Sequence, residues 1–315
     1  MIKNILLSGS LAYDYIMDFP DSFKNHILPE HIHILNVCFV VEKLEKNYGG
    51  TAGNIAYNIK LLGGEPLILC PLGKDGTDYK NYLEKLNIST TYISETKDKM
   101  TSAAHITTDK DDNQITAFYN GALADATNLS IDDVHEEFDI ALISPTHKYA
   151  MIKHAQECFN RKIKFVFDPG QQITAFNQQE LLMMLGMSNY LIANDYEIKL
   201  IADKAGLTEN DIIKKVDVMI KTLGTEGSVL YTENELIKIK PCKAMSAEDP
   251  TGAGDAYRAG FFTALNQNRD LTTCGQIASV AAVYAVEKYG TQNHTYSHQE
   301  FEERFFNTYN KKIIL

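Results

Sequence analysis

The chain has 315 residues, 44% of them hydrophobic, enough to bury a large core as one large domain or two ordinary ones. A formal net charge of -11, with no dense run of Lys or Arg, argues against a surface for nucleic acid or anionic membrane. Cys38, Cys70, Cys158, Cys242 and Cys274 are widely spaced, odd in number and outside any Cys-x-x-Cys pattern, which predicts reduced thiols in a cytoplasmic protein. The N-terminal apolar run, ended by Asp14 and Asp18, is too short for a signal peptide, and no stretch is expected to cross a membrane.

In chain order, short apolar runs at 5–8, 66–70, 139–144, 164–167, 190–193, 216–222 and 228–231 read as buried strands. Helical periods at 53–62, 77–86, 148–159, 178–185 and 196–205 read as the crossovers between them. The alternation predicts an α/β fold with a mostly parallel central sheet covered by helices on both faces. In such sheets ligands gather beyond the carboxyl ends of the strands, where Asp168-Pro169-Gly170, Asn194-Asp195 and Leu223-Gly224 fall. Two segments break the pattern. Residues 11–48 and 98–119 contain strand-like runs at 37–42, 101–108 and 114–119, with 109–113 as a hairpin loop. They predict one small projecting sheet, hinged at Gly49-Gly50 and Gly121, which acts as a lid, as a dimerisation sheet, or as both. No internal repeat or low-complexity linker divides the chain, so residues 1–315 read as a single domain.

The most informative segment is Asp249-Pro250-Thr251-Gly252-Ala253-Gly254-Asp255. Its glycines let successive backbone N–H groups aim at one point, and Tyr257, Phe261 and Leu265 recur at helical spacing behind it. A turn of this kind before a helix is an anion pocket. A carboxylate is a poor anion holder, so Asp255 suits a different role, that of taking a proton from a hydroxyl that attacks phosphorus. The plainer alternative is a Gly-rich turn capped by Asp. No Gly-x-x-x-x-Gly-Lys-Ser/Thr run occurs, and Gly252, Gly254 and Gly260 miss the dinucleotide-binding spacing. Earlier in the chain, Tyr48-Gly49-Gly50-Thr51-Ala52-Gly53-Asn54 leads into an amphipathic helix. It reads either as a turn with an N-cap or as a site where backbone approaches a ligand and Asn54 offers a donor and an acceptor to a diol. Asn194-Asp195 is, by itself, a helix cap.

Through residues 249–255 and 48–54 the chain resembles the ribokinase-like, or PfkB, family of carbohydrate and nucleoside kinases over nearly its whole length. The resemblance implies a ribokinase-like three-layer core with a β-sheet lid, and transfer of the ATP γ-phosphate to a hydroxymethyl group. It implies Asp255 as base and Gly252, Ala253 and Gly254 as the anion hole. It also implies that Asp14, Gly49, Gly50 and Asn54 bind the sugar. Asn194 and Glu197, matching the family's Asn-x-x-Glu motif, would act near Mg²⁺ and phosphate through ordered water. The loop from Thr222 through Gly224 to Gly227 would line the triphosphate, and the Ala-rich run 277–286, most simply a buried helix, would floor the adenine slot. Mg²⁺ is expected to arrive with ATP rather than in a protein cage, and some relatives use a monovalent cation such as K⁺. His31, His33, His147 and His154 suit core or surface roles better than metal ligation.

Gly49-Gly50-Thr51-Ala52-Gly53, Ile27-Leu28-Pro29-Glu30 and the run 113–118 look most like a bacterial branch of purine nucleoside kinases, which favours adenosine, inosine or a similar acceptor. A ribose- or fructose-type sugar kinase, and a nucleotide-binding protein without catalysis, are the competing readings. Phe39, Phe118 and Tyr119 are candidates to stack on a base or to fill the core. Partners are expected to be small molecules, with monomer and homodimer both open.

Overall fold

The computed structural model describes residues 4–27, 34, 36–111 and 113–315. Leu28, Pro29, Glu30, His31 and His33, which enter the expectations above, lie outside the described residues.

Strand β1 (Asn4–Ser8) is followed by β2 (Ala12–Asp18), β3 (Lys43–Gly49), helix α1 (Thr51–Leu61), β4 (Glu65–Leu72), α2 (Thr77–Lys85) and β5 (Ile93–Glu95). Next come β6 (Ser102–Thr108), β7 (Gln114–Tyr119), β8 (Phe138–Ile143), α3 (Lys148–Arg161), β9 (Lys164–Phe167), α4 (Gln178–Met187), β10 (Tyr190–Asn194), α5 (Asp195–Ala205) and α6 (Glu209–Ile213). The order closes with β11 (Val218–Thr222), β12 (Ser228–Tyr231), β13 (Leu236–Ile239), α7 (Ala253–Asn266), α8 (Leu271–Val286) and α9 (His298–Tyr309).

The large sheet has the order β13-β12-β11-β10-β9-β8-β1-β4-β5. It is parallel from β5 to β11 and antiparallel at β12 and β13. From β1 the chain builds outward through β4 and β5, then returns to the other side of β1 with β8, so the strand order reverses there. That reversal opens a crevice at the carboxyl ends. A strand such as Ile5-Leu6-Leu7 has no polar face to give to water because it is covered on both sides. Ile5 and Leu7 join a core with α1, α7, α8 and α9, while Leu6 joins one with α3, α4 and α5. Helices α7 and α8 pack so closely that a Cβ on Gly260 would lie 2.7 Å from the Ala278 Cα.

Four strands form the separate small sheet, in the order β3-β2-β6-β7. Its register decides which side chains look toward the crevice. Asp14, Asn47, Ala104 and Phe118 are paired across it and share one face, whereas Tyr13, Tyr48, Ala103 and Tyr119 share the other. The second face rests its base on α2, with Tyr48 stacked on Tyr82 at 4.1 Å and Tyr13 5.7 Å from Tyr79.

The strand expected at 37–42 is a correction. Those residues carry no strand, and the pairing segment is Lys43–Gly49 instead. The apolar run misled because Phe39 is taken into an aromatic cluster with Phe19, Phe23 and His26. The real strand, Lys-Leu-Glu-Lys-Asn-Tyr-Gly, is too rich in charge to advertise itself.

Candidate active site

The crevice is lined by what immediately follows the central strands. The Ser144 N–H donates to the Ser8 carbonyl at 2.8 Å, and the Ser144 hydroxyl donates to Asp168 Oδ2 at 2.9 Å. Asn194 and Thr222 are register partners at the ends of β10 and β11.

The first turn of α7 enters the crevice from the far side. Asp249 fixes its approach, with Oδ1 accepting from the Thr251 N–H at 2.9 Å and Oδ2 from the Gly290 N–H at 3.0 Å. Gly252 then takes φ +81°, a left-handed conformation that L side chains rarely adopt, and caps the helix without a side chain. The Ala253 N–H closes the turn on the Pro250 carbonyl at 3.2 Å, while the Gly252 and Gly254 N–H groups find no backbone acceptor among the described residues. Free amides and the positive end of the helix dipole therefore coincide.

Asp255 sits in that turn. Asn54 Nδ2, from the first turn of α1, donates to its Oδ2 at 2.8 Å. Asn54 Oδ1 accepts from Gln292 at 2.9 Å, Gln292 also donates to the Tyr79 hydroxyl at 3.0 Å, and Tyr79 donates to the Gly49 carbonyl at 2.6 Å. Asn54 thus spends its acceptor and one donor within the protein, leaving a single amide hydrogen for a ligand, less than the pair of functions its sequence position suggested. Burial pushes the Asp255 carboxyl up to about 6, with Asp168 adding to the rise and Arg258 and Asn54 opposing it. Asp14 is likewise raised to about 6, by burial first and then by the charges of Asp255 and Asp249. Two carboxylates at the same cleft are therefore poised near the top of the acid range.

The Gly49-Gly50 pair explains how Asp14 fits. The Asp14 carboxylate lies against the Gly49 Cα, where a Cβ would collide with it. Gly50 has φ +86°, and a Cβ there would come within 2.6 Å of the Ser10 carbonyl and 2.7 Å of the Ala12 nitrogen. Only glycine lets the chain cross the end of β1 so tightly before α1 begins.

On the opposite flank, Arg258 forks onto Asp168, Nε to Oδ2 and Nη2 to Oδ1, both at 2.6 Å. Glu197 faces this pair; burial raises its carboxyl, and Asp168 adds to the rise while the Asn194 N–H and Arg258 oppose it. Asn194 and Glu197 form a reciprocal capping box at the start of α5, each bond 2.8 Å, so the cap expected of Asn194 is present. The cap and the position at the cleft coexist. In the loop after β11, a Cβ at Gly224 would meet open space, whereas Gly227 packs against the Ile239 carbonyl and Pro241 and is turned away from that opening.

Of the aromatic candidates, Phe118 alone shares the face of Asp14, and it is 54% exposed. Tyr119 looks the other way, and Phe39 is held in its cluster. Beside Asp14 on that face, the Asn47 amide nitrogen is buried without a hydrogen-bond partner.

Arg258, Gln292 and Asn47 escaped the sequence reading. Arg258 had a signal: it lies three residues beyond Asp255, hence on the same helical face, and it is the one charge among Ala256–Phe262. Gln292 and Asn47 had none, since each reaches the site through tertiary pairing.

Comparison with known proteins gives the same architecture. The profile described as pfkB family carbohydrate kinase matches residues 27–298. A nucleoside kinase of Methanocaldococcus jannaschii is 33% identical over 305 residues, covering 96% of this chain and 97% of that protein. The structure of Burkholderia thailandensis nucleoside kinase in complex with inosine superposes with a TM-score of 0.90 at 31% identity, over 98% of this chain and all of that one (100%). Its complex with ADP-inosine gives a TM-score of 0.87 at 33% identity, over 98% and 97% of the two chains.

Proposed function

The chain belongs to the pfkB family of carbohydrate kinases and is an ATP-dependent kinase, and we propose that its acceptor is a purine ribonucleoside, adenosine, inosine or a close relative, phosphorylated on the 5′-hydroxymethyl. The observation that carries this reading is the meeting of two carboxylates at one cleft, Asp255 under the free amides of α7 and hydrogen-bonded to Asn54 at 2.8 Å, and Asp14 against Gly49 on the small sheet. One belongs beside a transferred phosphoryl group and the other beside a polyol.

In this account Asp14, the Gly49-Gly50 backbone and the remaining Asn54 amide hydrogen hold the ribose hydroxyls, and Phe118 stacks on the base. Asp255 takes the proton of the 5′-hydroxyl as that oxygen forms its bond to the γ-phosphorus, and the bond from the γ-phosphorus to the ADP oxygen breaks. The Gly252, Ala253 and Gly254 amides neutralise the charge on the group in transit; for Ala253 this requires releasing the Pro250 carbonyl. Asn194, Glu197, Thr222 and Gly224 line the triphosphate, and Gly227 serves the turn that presents it. The small sheet closes over the acceptor as a lid and excludes water.

Among the described residues no group of three His, Cys, Asp or Glu side chains is arranged to hold a metal ion. Glu197, with one oxygen spent on its capping box, suits an outer contact to Mg²⁺ carried on ATP, which would supply charge neutralisation at the phosphates. Dependence on a monovalent cation such as K⁺ is left to experiment, read by comparing turnover in K⁺ with turnover in an organic cation. No helix among the described residues is long and apolar enough to cross a membrane, and the five free cysteines suit the reducing cytoplasm in which we place the protein.

A coupled ADP-release assay across nucleosides and free sugars tests the acceptor. Purine nucleosides are expected to exceed ribose and fructose in kcat/KM. A preference for free ribose or fructose makes it a sugar kinase, and ATP binding without ADP release for any acceptor removes catalysis.

A further inference from the structure

Arg258 is 12% exposed and its partner Asp168 1% exposed, so this ion pair is well withdrawn from water. Isolated pairs so placed are costly unless every polar group is used, and here the use is lopsided. One cation answers three carboxylates from three elements: Asp168 after β9, Glu197 at the start of α5, and Asp255 one helical turn earlier on α7. Asn54 from α1 and Asp14 from β2 also face Asp255, and among the described residues Arg258 is the one cation that acts on its carboxyl. The fork to Asp168, itself braced by Ser144, fixes the guanidinium in orientation, and Nη1 is left beside Gly254, where a Cβ would come within 2.8 Å of it. A rigid planar cation held at that spot is something Lys would not reproduce in geometry.

We propose that Arg258 is a positioning residue that, held by its fork to Asp168 one helical turn beyond Asp255, keeps the Asp255 carboxylate charged for proton abstraction. The inference rests on Asp255 being the base. Arg258 is the neighbouring cation that opposes the rise of the Asp255 carboxyl, so its removal raises that carboxyl further.

The test is the pH dependence of kcat/KM for the wild type, Arg258→Met, Arg258→Gln and Arg258→Lys, with ATP, Mg²⁺ and inosine. Wild type loses activity below about pH 6, where Asp255 gains its proton. Arg258→Met is expected to move that acid limb up by about one pH unit, the effect of losing a neighbouring cation, and to recover most of its kcat at alkaline pH with KM for inosine little changed. Arg258→Gln is expected to move the limb the same way, and Arg258→Lys, which keeps the charge, to leave it near its wild-type position. A uniform loss of activity with no displacement of the limb, or a displacement in Arg258→Lys as large as in Arg258→Met, overturns the proposal. If Arg258→Met does not fold, the comparison of Arg258→Gln with Arg258→Lys decides alone. An Asp255→Asn control separates the two levels: if it keeps turnover, the base assignment fails; if it is inactive and the limbs stay fixed, only the role of Arg258 fails.

Discussion

Replacing Asp255 with Asn should stabilise the unliganded protein at neutral and alkaline pH while crippling the reaction. The carboxyl ordinarily ionises at 3.8 and is raised to about 6 in the fold. Between those values the folded state binds the proton more tightly than the unfolded chain, so the contribution to stability is complete below about pH 4 and is lost as pH rises through 6. The interval is about two pH units, and at roughly 1.4 kcal/mol per unit the charged side chain costs up to about 3 kcal/mol above pH 7. A neutral amide of the same shape keeps the contact with Asn54 and avoids most of that cost. The variant is therefore expected to melt several degrees above wild type at pH 8 and at nearly the same temperature at pH 4.5, measured by calorimetry without ligands. An equal difference at both pH values would refute the reasoning, because it would show that the gain does not come from the ionised state.

Three further outcomes follow from particular contacts. Phe118→Ala is expected to raise KM for inosine about tenfold, from the roughly 1 to 3 kcal/mol that an aromatic ring contributes per stacked base, whereas Tyr119→Ala on the opposite face should leave KM unchanged; similar effects of the two would contradict the register. Gly260→Val should lower thermal stability by about 1 to 3 kcal/mol because the added carbons run into α8 at Ala278; an unchanged melting temperature would mean that α7 and α8 are free to separate. Asp14→Asn should raise KM for the nucleoside with little effect on KM for ATP, as read by initial rates; a loss confined to ATP would displace Asp14 from the acceptor side.

The layered core was legible because parallel strands buried on both faces read as unbroken apolar runs, and each of the seven runs at 5–8 through 228–231 became a strand. What failed was the small sheet's β3, since pairing with β2 can recruit a charged segment that no propensity favours. At the site, Gly252 and Gly50 were visible because their backbone conformations demand glycine. Asn54 could be placed but not its partners: its acceptor faces Gln292, far along the chain, and only the fold brings them together. The faces of Phe118 and Tyr119 were equally out of reach, since adjacent residues in a strand differ by half a turn and the register is fixed by β6.

The central claim is that Asp255 activates the acceptor hydroxyl, and single-turnover phosphoryl transfer from ATP to inosine at saturating concentrations tests it most directly. Asp255→Asn is predicted to slow the transfer by on the order of 10² to 10⁴ with ADP affinity nearly intact and a nucleoside 5′-monophosphate as the wild-type product. Transfer at close to the wild-type rate in that variant would contradict the account.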